Sequence, residues 1–280
     1  MLVSPKILLE KAQKEKYAVG AFNTCNLEIT KAIFAAAENL NSPIIIQTSE
    51  GESQHGQITK IATLIRKFIE ESKIPACLNL DHGKSLEMVK KCITAGYAQV
   101  MIDGSKLPFS ENIALTKKVV QYAHKYNVPV EGELGLVPTP GQKEIVSEKE
   151  REKAMTDPNL ALDFVKKTEV DFLAVAIGNV HGFYKGKPVL DFNRLGEIKK
   201  KVKIPLVLHG GSGIADCDIK KAISLGICKI NVNTELRVAF TNALRQILKD
   251  QKQHIPYEYM KTVEQAVQKV VEEKIKVFSK

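Results

Sequence analysis

Eight short β-rich runs recur along this chain, spaced so that one helix fits between each pair. They read VGAFN (19–23), IIIQTS (44–49), CLNLDH (77–82), QVMIDG (99–104), PVEGELG (129–135), FLAVAIG (172–178), PLVLHGG (205–211) and KINVNT (229–234). Helical patterns fall between them, over 27–40, 56–71, 85–95, 110–125, 158–168, 191–201 and 215–224. Parallel strands need a long return connection, so this alternation predicts a parallel sheet with crossover helices. Eight such units predict an α/β protein of the (β/α)8, or TIM, barrel type. The opening stretch MLVSPKILLEKAQKEK reads as an amphipathic helix, and 235–280 as additional C-terminal helices. No Gly/Ser linker or compositional break interrupts the pattern, so one barrel domain over 1–280 is expected.

Strand parity then sorts side chains, because alternate residues of a barrel strand face the lumen and the helical ring. Leu78 and Leu80 should pack outward, leaving Asn79 and Asp81 inward. Val100, Ile102 and Val130 likewise point out, with Asp103, Glu131 and Glu133 inward. Leu206, Leu208, Ile230 and Val232 point out, with His209, Asn231 and Asn233 inward. Ala174, Ala176 and Gly178 give strand six a small inward face. The polar inward residues gather at the C-terminal strand ends, where barrel enzymes keep their active sites.

Composition narrows the classes of function. The net charge of +9 rests mostly on lysines dispersed over helix faces, and tryptophan is absent. No stacking motif accompanies them, which favours anionic small molecules over nucleic acid. No apolar run is long enough to span a bilayer, and the start lacks a signal-peptide core with a small-residue cleavage site. A cytoplasmic location and no membrane partner are expected. Cys25, Cys77, Cys92, Cys217 and Cys228 are odd in number and form no C-x-x-C pair. Reduced thiols fit this better than disulfides or a thiolate metal site.

Of six histidines, His82, His181 and His209 follow strands three, six and seven. Three imidazoles meeting at one barrel mouth would suit Zn²⁺ and leave a position open for substrate or water. His124 and His254 read as surface residues, and His55 lies in the loop after strand two. LHGGSG (208–213) and INVNTE (230–235) follow strands seven and eight. Loops in this position commonly cradle phosphate through backbone N–H groups. Ser212, Asn231, Asn233 and Thr234 can add side-chain hydrogen bonds, although Gly210, Gly211 and Gly213 alone would also suit a tight turn.

The chain resembles the class II, metal-dependent ketose-bisphosphate aldolases, a family that includes fructose-bisphosphate and tagatose-bisphosphate aldolases. AVGAFN, LDHG, VMIDGS, VEGELG, AIGNVHGFY, LVLHGGSGI and KINVNTELR carry the resemblance, in family order and nearly end to end. It implies that His82, His181 and His209 bind a catalytic Zn²⁺, and that Asp81 is the acid/base at the C4 oxygen of the sugar. Asp103 and Glu133 match positions used for a second or alternative divalent metal. Gly182, Gly210, Gly211 and Ser212 match contacts to triose phosphate or to a monovalent cation, Na⁺ or K⁺. Asn231, Val232, Asn233 and Thr234 match the rest of the phosphate cradle, and Asn23 and Ser49 line the same mouth. The implied reaction is reversible cleavage of a ketose 1,6-bisphosphate, fructose before tagatose, to dihydroxyacetone phosphate and glyceraldehyde 3-phosphate through a zinc-stabilised enediolate. A homodimer or homotetramer is implied as well.

Two stretches depart from the family pattern. The loop after strand five reads ELGLVPTPGQKEIVSEKE, with Pro140 replacing one glycine of an expected pair and Lys143 where an acid is expected. Glu144 is the candidate base for the triose proton, with Glu148 second. The C-terminus, EEKIKVFSK, has no arginine after Arg245, which leaves Lys276 as the candidate for the distal phosphate. Three rivals remain open to a reader of the sequence. Lys229 has inward parity and could form a Schiff base, or instead pair with the inward acids. The altered loop would also suit a non-catalytic metal- and sugar-phosphate-binding barrel, and a zinc hydrolase is a further reading.

Overall fold

A computed structural model describes residues 3–138, 148–182 and 189–279. Helix α1 (Pro5–Glu15) precedes β1 (Val19–Asn23), α2 (Leu27–Asn39) and β2 (Ile44–Ser49). Then come α3 (Glu50–His55), α4 (Ile58–Glu71), β3 (Ala76–Gly83), α5 (Leu86–Thr94), β4 (Gln99–Ile102), α6 (Phe109–Ala123) and β5 (Val130–Leu134). The second half runs α7 (Glu148–Ala154), α8 (Pro158–Thr168), β6 (Phe172–Val175), α9 (Phe192–Lys201), β7 (Leu206–Leu208) and α10 (Asp216–Ser224). It closes with β8 (Ile227–Val232), α11 (Thr234–Ile247) and α12 (Pro256–Phe278). All strands are parallel and β8 pairs back onto β1, so the sheet is the expected closed (β/α)8 barrel.

The alternation of side chains builds two cores. Leu78, Leu80, Val100, Ile102, Val130, Leu206, Leu208, Ile230 and Val232 join the outer core, between strands and helices. The inner core fills the lower lumen with Val19, Ala21, Ile45, Cys77, Phe172, Ala174, Val207 and Cys228. Leu8, Leu9 and Ala12 of α1 pack against it, so the amphipathic N-terminal helix stoppers the barrel from below. Above this apolar plug the inward residues turn polar: Gln47, Asn79, Gln99, Glu131 and Lys229 are all wholly buried. The lumen is therefore dry at the bottom and charged toward the C-terminal rim.

Strand ends differ from expectation where polar or glycine residues leave the ladder. β4, β6 and β7 stop at Ile102, Val175 and Leu208, which hands Asp103, Gly178 and His209 to the loops. β8 begins two residues earlier than expected and ends at Val232, because Asn233 and Thr234 already start α11. The short helices α3 and α7 were not expected; His55 ends α3, and Glu148 opens α7.

Candidate active site

The C-terminal strand ends open into a cleft of about 650 Å³. Of the residues singled out from sequence, Asn23, Ser49, Asp81, His82, Asp103 and His181 line it. Gly182, Gly210, Ser212, Asn231, Asn233 and Thr234 complete its other side. A larger hollow of about 900 Å³ lies against α1, around Lys6, His124 and Asp171. Of its three carboxylates, Glu10, Glu169 and Asp171, the last is already paired, meeting His124 at 2.9 Å and Lys6 at 3.4 Å.

Asp81 ends the inward row of β3, as parity requires. Its two oxygens accept from Asn23 Nδ2 and Asn231 Nδ2, each at 3.0 Å. Asn23 is itself fixed, because its Oδ1 accepts from Gln47 Nε2 at 2.8 Å and Gln47 Oε1 accepts from Asn79 at 3.0 Å. Burial alone would raise the Asp81 pKa, but His82, His209 and Lys229 outweigh it and hold the carboxyl below its usual value. An ionised, doubly anchored carboxylate at the rim is suited to take a proton from a substrate hydroxyl.

His82 follows in the left-handed region, at φ +46°. That conformation is uncommon for a residue with a Cβ, and it turns the imidazole over the rim toward the lumen axis. His82 Nδ1 lies 2.9 Å from Asp103 Oδ2, and His209 Nε2 lies 2.8 Å from Glu131 Oε1. A carboxylate accepts, so the ring protons sit on the nitrogens that touch the carboxylates, His82 Nδ1 and His209 Nε2, which leaves His82 Nε2 and His209 Nδ1 unprotonated and facing each other. These two nitrogens stand 2.9 Å apart, and two bare lone pairs at that distance require a positive charge between them.

A proton can supply that charge. Burial would depress His82, but Asp81, the Asp103 hydrogen bond and Glu133 push it up to about 10. Burial together with the charges on His82 and His209 drives His181 down to about 3, and burial lowers His209 as well. A divalent cation would meet the same requirement with more donors. Ligand-capable atoms of His82, His181 and His209 lie within 4.8 Å of one another, and so do those of His82, Asp103 and Glu133. Among the described residues Glu133 Oε2 is buried without a hydrogen-bond partner, 3.8 Å from His209 Nδ1. Three imidazoles, each with a carboxylate or its charge nearby, and an orphaned carboxylate oxygen fit a metal of the zinc type.

The glycine loop follows β7. Gly210 has φ +64°, and a Cβ there would strike the Val180 carbonyl, so this turn requires glycine. Asn179 ties the loop to that of β6: its Nδ2 donates to the His209 carbonyl at 3.0 Å while its Oδ1 accepts from Ile177 N at 2.7 Å. Ser212 Oγ accepts from Glu235 N at 3.4 Å, which leaves the hydroxyl proton free to donate. Gly211 is less available than expected, since its N–H donates to the Asn231 carbonyl at 3.1 Å. Val232 packs its side chain in the outer core, so it can reach the cleft through its backbone alone.

Other expectations fall elsewhere. Glu144 lies outside the described residues, and so does Lys143. Lys276 does not line the cleft but a separate groove with Glu235 and Glu273. Lys229 Nζ donates to Glu131 Oε2 at 2.6 Å with both side chains fully buried, which suits a structural ion pair and not an imine-forming amine. The structure also adds residues. Lys84, Lys106 and Arg237 bring positive charge to the cleft wall. Glu52 accepts from Asn23 at 2.9 Å, Asn233 at 3.1 Å and Ser49 N at 2.7 Å, tying three strand ends together. Its signal was present in the sequence, because Ser49 and Glu52 form a capping box.

Comparison with known proteins bears on the same geometry. The family model for class II fructose-bisphosphate aldolase matches residues 3–280. A fructose-bisphosphate aldolase of Thermus caldophilus is 42% identical over 302 residues, covering 99% of this chain and 98% of that protein. The crystal structure of the YdjI aldolase from Escherichia coli K12 superposes with a TM-score of 0.89 at 36% identity, covering 100% of this chain and 98% of that one. A match that runs through every strand end of the cleft leaves no part of the barrel unaccounted for: this chain belongs to the class II fructose-bisphosphate aldolase family.

Proposed function

We propose that this aldolase reversibly cleaves a ketose 1,6-bisphosphate, fructose 1,6-bisphosphate first, to dihydroxyacetone phosphate and glyceraldehyde 3-phosphate. The reading rests on one observation above all: two carboxylate-anchored imidazoles present facing nitrogens beside the ionised Asp81. His82, His181 and His209 would hold a divalent cation, zinc in our reading, with Asp103 and Glu133 available to a second or alternative metal position. When bound, such an ion supplies Lewis acidity to the carbonyl and hydroxyl oxygens of the triose half.

In the cleavage direction Asp81 takes the C4 hydroxyl proton, the C3–C4 bond breaks, and its electron pair moves toward the C2 carbonyl. Asn23 and Asn231 keep the Asp81 carboxylate aimed throughout. Glu144 is our choice for the proton that returns to C3. The Ser212 hydroxyl, the Gly210 turn, Gly182 and the Asn231–Thr234 corner would hold the triose phosphate, together with a monovalent cation. In synthesis each step reverses, with Asp81 protonating the new C4 alkoxide. A homodimer or homotetramer in the cytoplasm belongs to the same reading.

The test is cleavage of fructose and tagatose 1,6-bisphosphates side by side, before and after chelation and with zinc restored. Chelation should abolish both activities, zinc should return them, and fructose 1,6-bisphosphate should be the faster substrate. Full activity in metal-free protein would sink the reading. His209→Ala should lose stoichiometric metal by elemental analysis.

A further inference from the structure

We propose that Lys84 binds the second, distal phosphate of the substrate and so sets the preference for a bisphosphate over a ketose 1-phosphate. This rests on the aldolase reading above and deepens it. The first phosphate belongs to the β7 and β8 loops, so the far end of the sugar must lie beyond Asp81, which serves the C4 oxygen between the two halves. Eight strands in closed order put β3 across the lumen from β7. The distal phosphate therefore needs a cation on the β3 side of the rim.

Lys84 is that cation. It stands three residues beyond Asp81, lines the cleft, is exposed, and makes no ion pair among the described residues. Its position is fixed by its backbone: Lys84 N donates to Glu50 Oε2 at 3.1 Å, which pins the β3 loop to the residue after Ser49. Ser49 is the register partner of Asp81. Ser49 Oγ accepts from Glu52 N at 3.3 Å, so its hydroxyl proton can donate into the cleft that Lys84 also lines. Lys106, on the neighbouring β4 loop, lines the same cleft and adds to the positive potential. The remaining cation of the cleft, Arg237, lies in the first turn of α11, beyond Thr234. It serves the triose side. A lysine here acts as a flexible point charge, which suits a phosphate at the end of a chain better than a fixed bidentate clamp would.

The experiment compares kcat/KM for fructose 1,6-bisphosphate and fructose 1-phosphate in the zinc-loaded wild type and in Lys84→Met, Lys84→Arg and Arg237→Met. A hydrogen-bonded charge removed from phosphate should lower the bisphosphate-to-monophosphate ratio roughly ten- to a hundredfold in Lys84→Met. Lys84→Arg should restore most of the ratio, and Arg237→Met should lower both values together. An unchanged ratio in Lys84→Met, or a ratio that collapses in Arg237→Met instead, overturns the assignment while the aldolase reading stands. A wild type that cleaves neither ketose and exchanges no proton of dihydroxyacetone phosphate overturns both. Lys84 is exposed, so Lys84→Met should melt with the wild type, and a shared circular dichroism transition confirms that folding is not what the ratio reports.

Discussion

Lys229 has no access to water, and neither has its partner Glu131. Their 2.6 Å contact is shared with His209, which lies 2.8 Å from the other Glu131 oxygen. Burial would raise Glu131, but Lys229 and the His209 hydrogen bond outweigh it and hold the carboxyl down at about 2. The pair thus performs two tasks: it neutralises charge in the lumen, and it fixes the ring proton of His209 on Nε2. Removing one partner leaves the other charged in a dry interior, which costs about 3–5 kcal/mol. Lys229→Met should lose that much at neutral pH in urea unfolding. The sign with pH follows from linkage. A carboxyl whose folded value lies below the ordinary 4.5 adds stability above 4.5, and that stability disappears as pH falls toward about 2. The wild type loses this term on acidification and Lys229→Met, which keeps only the His209 contact, has less to lose, so the gap between them should narrow below pH 4.5. A gap that stays constant down to the acid limit contradicts the assignment.

Helix α12 closes the fold as firmly as any strand. Val263, Val267, Val271, Ile275 and Phe278 form its buried stripe, and Lys31–Glu264 and Asn39–Glu272 pin it to α2 at 2.6 and 3.0 Å. At its end the Phe278 carbonyl accepts from Ala18 N at 3.0 Å, while the ring edge packs near Gly20 beside the Phe22 ring. Phe278→Ala should therefore cost about 3–5 kcal/mol, read as a lowered urea midpoint at unchanged m-value. A cost below about 1 kcal/mol would show that the helix end is dispensable. The strands and the long helices were legible because each repeats a hydrophobic period over enough residues to be read. Helix α3 was not, since six residues offer no period, and its Ser49–Glu52 cap was the only local mark. The inward direction of Glu131, His209 and Lys229 was legible from parity. Their mutual partners were not, because Glu131 and Lys229 are 98 positions apart and only barrel closure brings them together. The turn of His82 over the rim was likewise implied by parity, but the left-handed backbone that achieves it depends on contacts to Met101 of the next strand and to Asp103 just beyond it.

The charge of +9 and the placement of the cleft cations would act together on the multiply anionic substrate proposed above. Lysines spread over the helical ring raise the potential around the barrel without pairing to particular atoms of the ligand, so their effect is on encounter. Such exposed charges are screened once the Debye length falls to about 10 Å near 0.1 M salt. The Asp81, His82, His209 and Glu131 contacts are packed inside the lumen, where added salt has little reach. These two populations of charge should separate in kinetics. Raising KCl from about 0.01 M to about 0.3 M should lower kcat/KM for the bisphosphate several-fold while kcat changes by less than about twofold. The monophosphate, with fewer charges to steer, should show a shallower slope under the same titration. Equal slopes for the two ketoses would mean that the surface lysines do not guide the substrate, and that the excess of positive charge serves solubility alone.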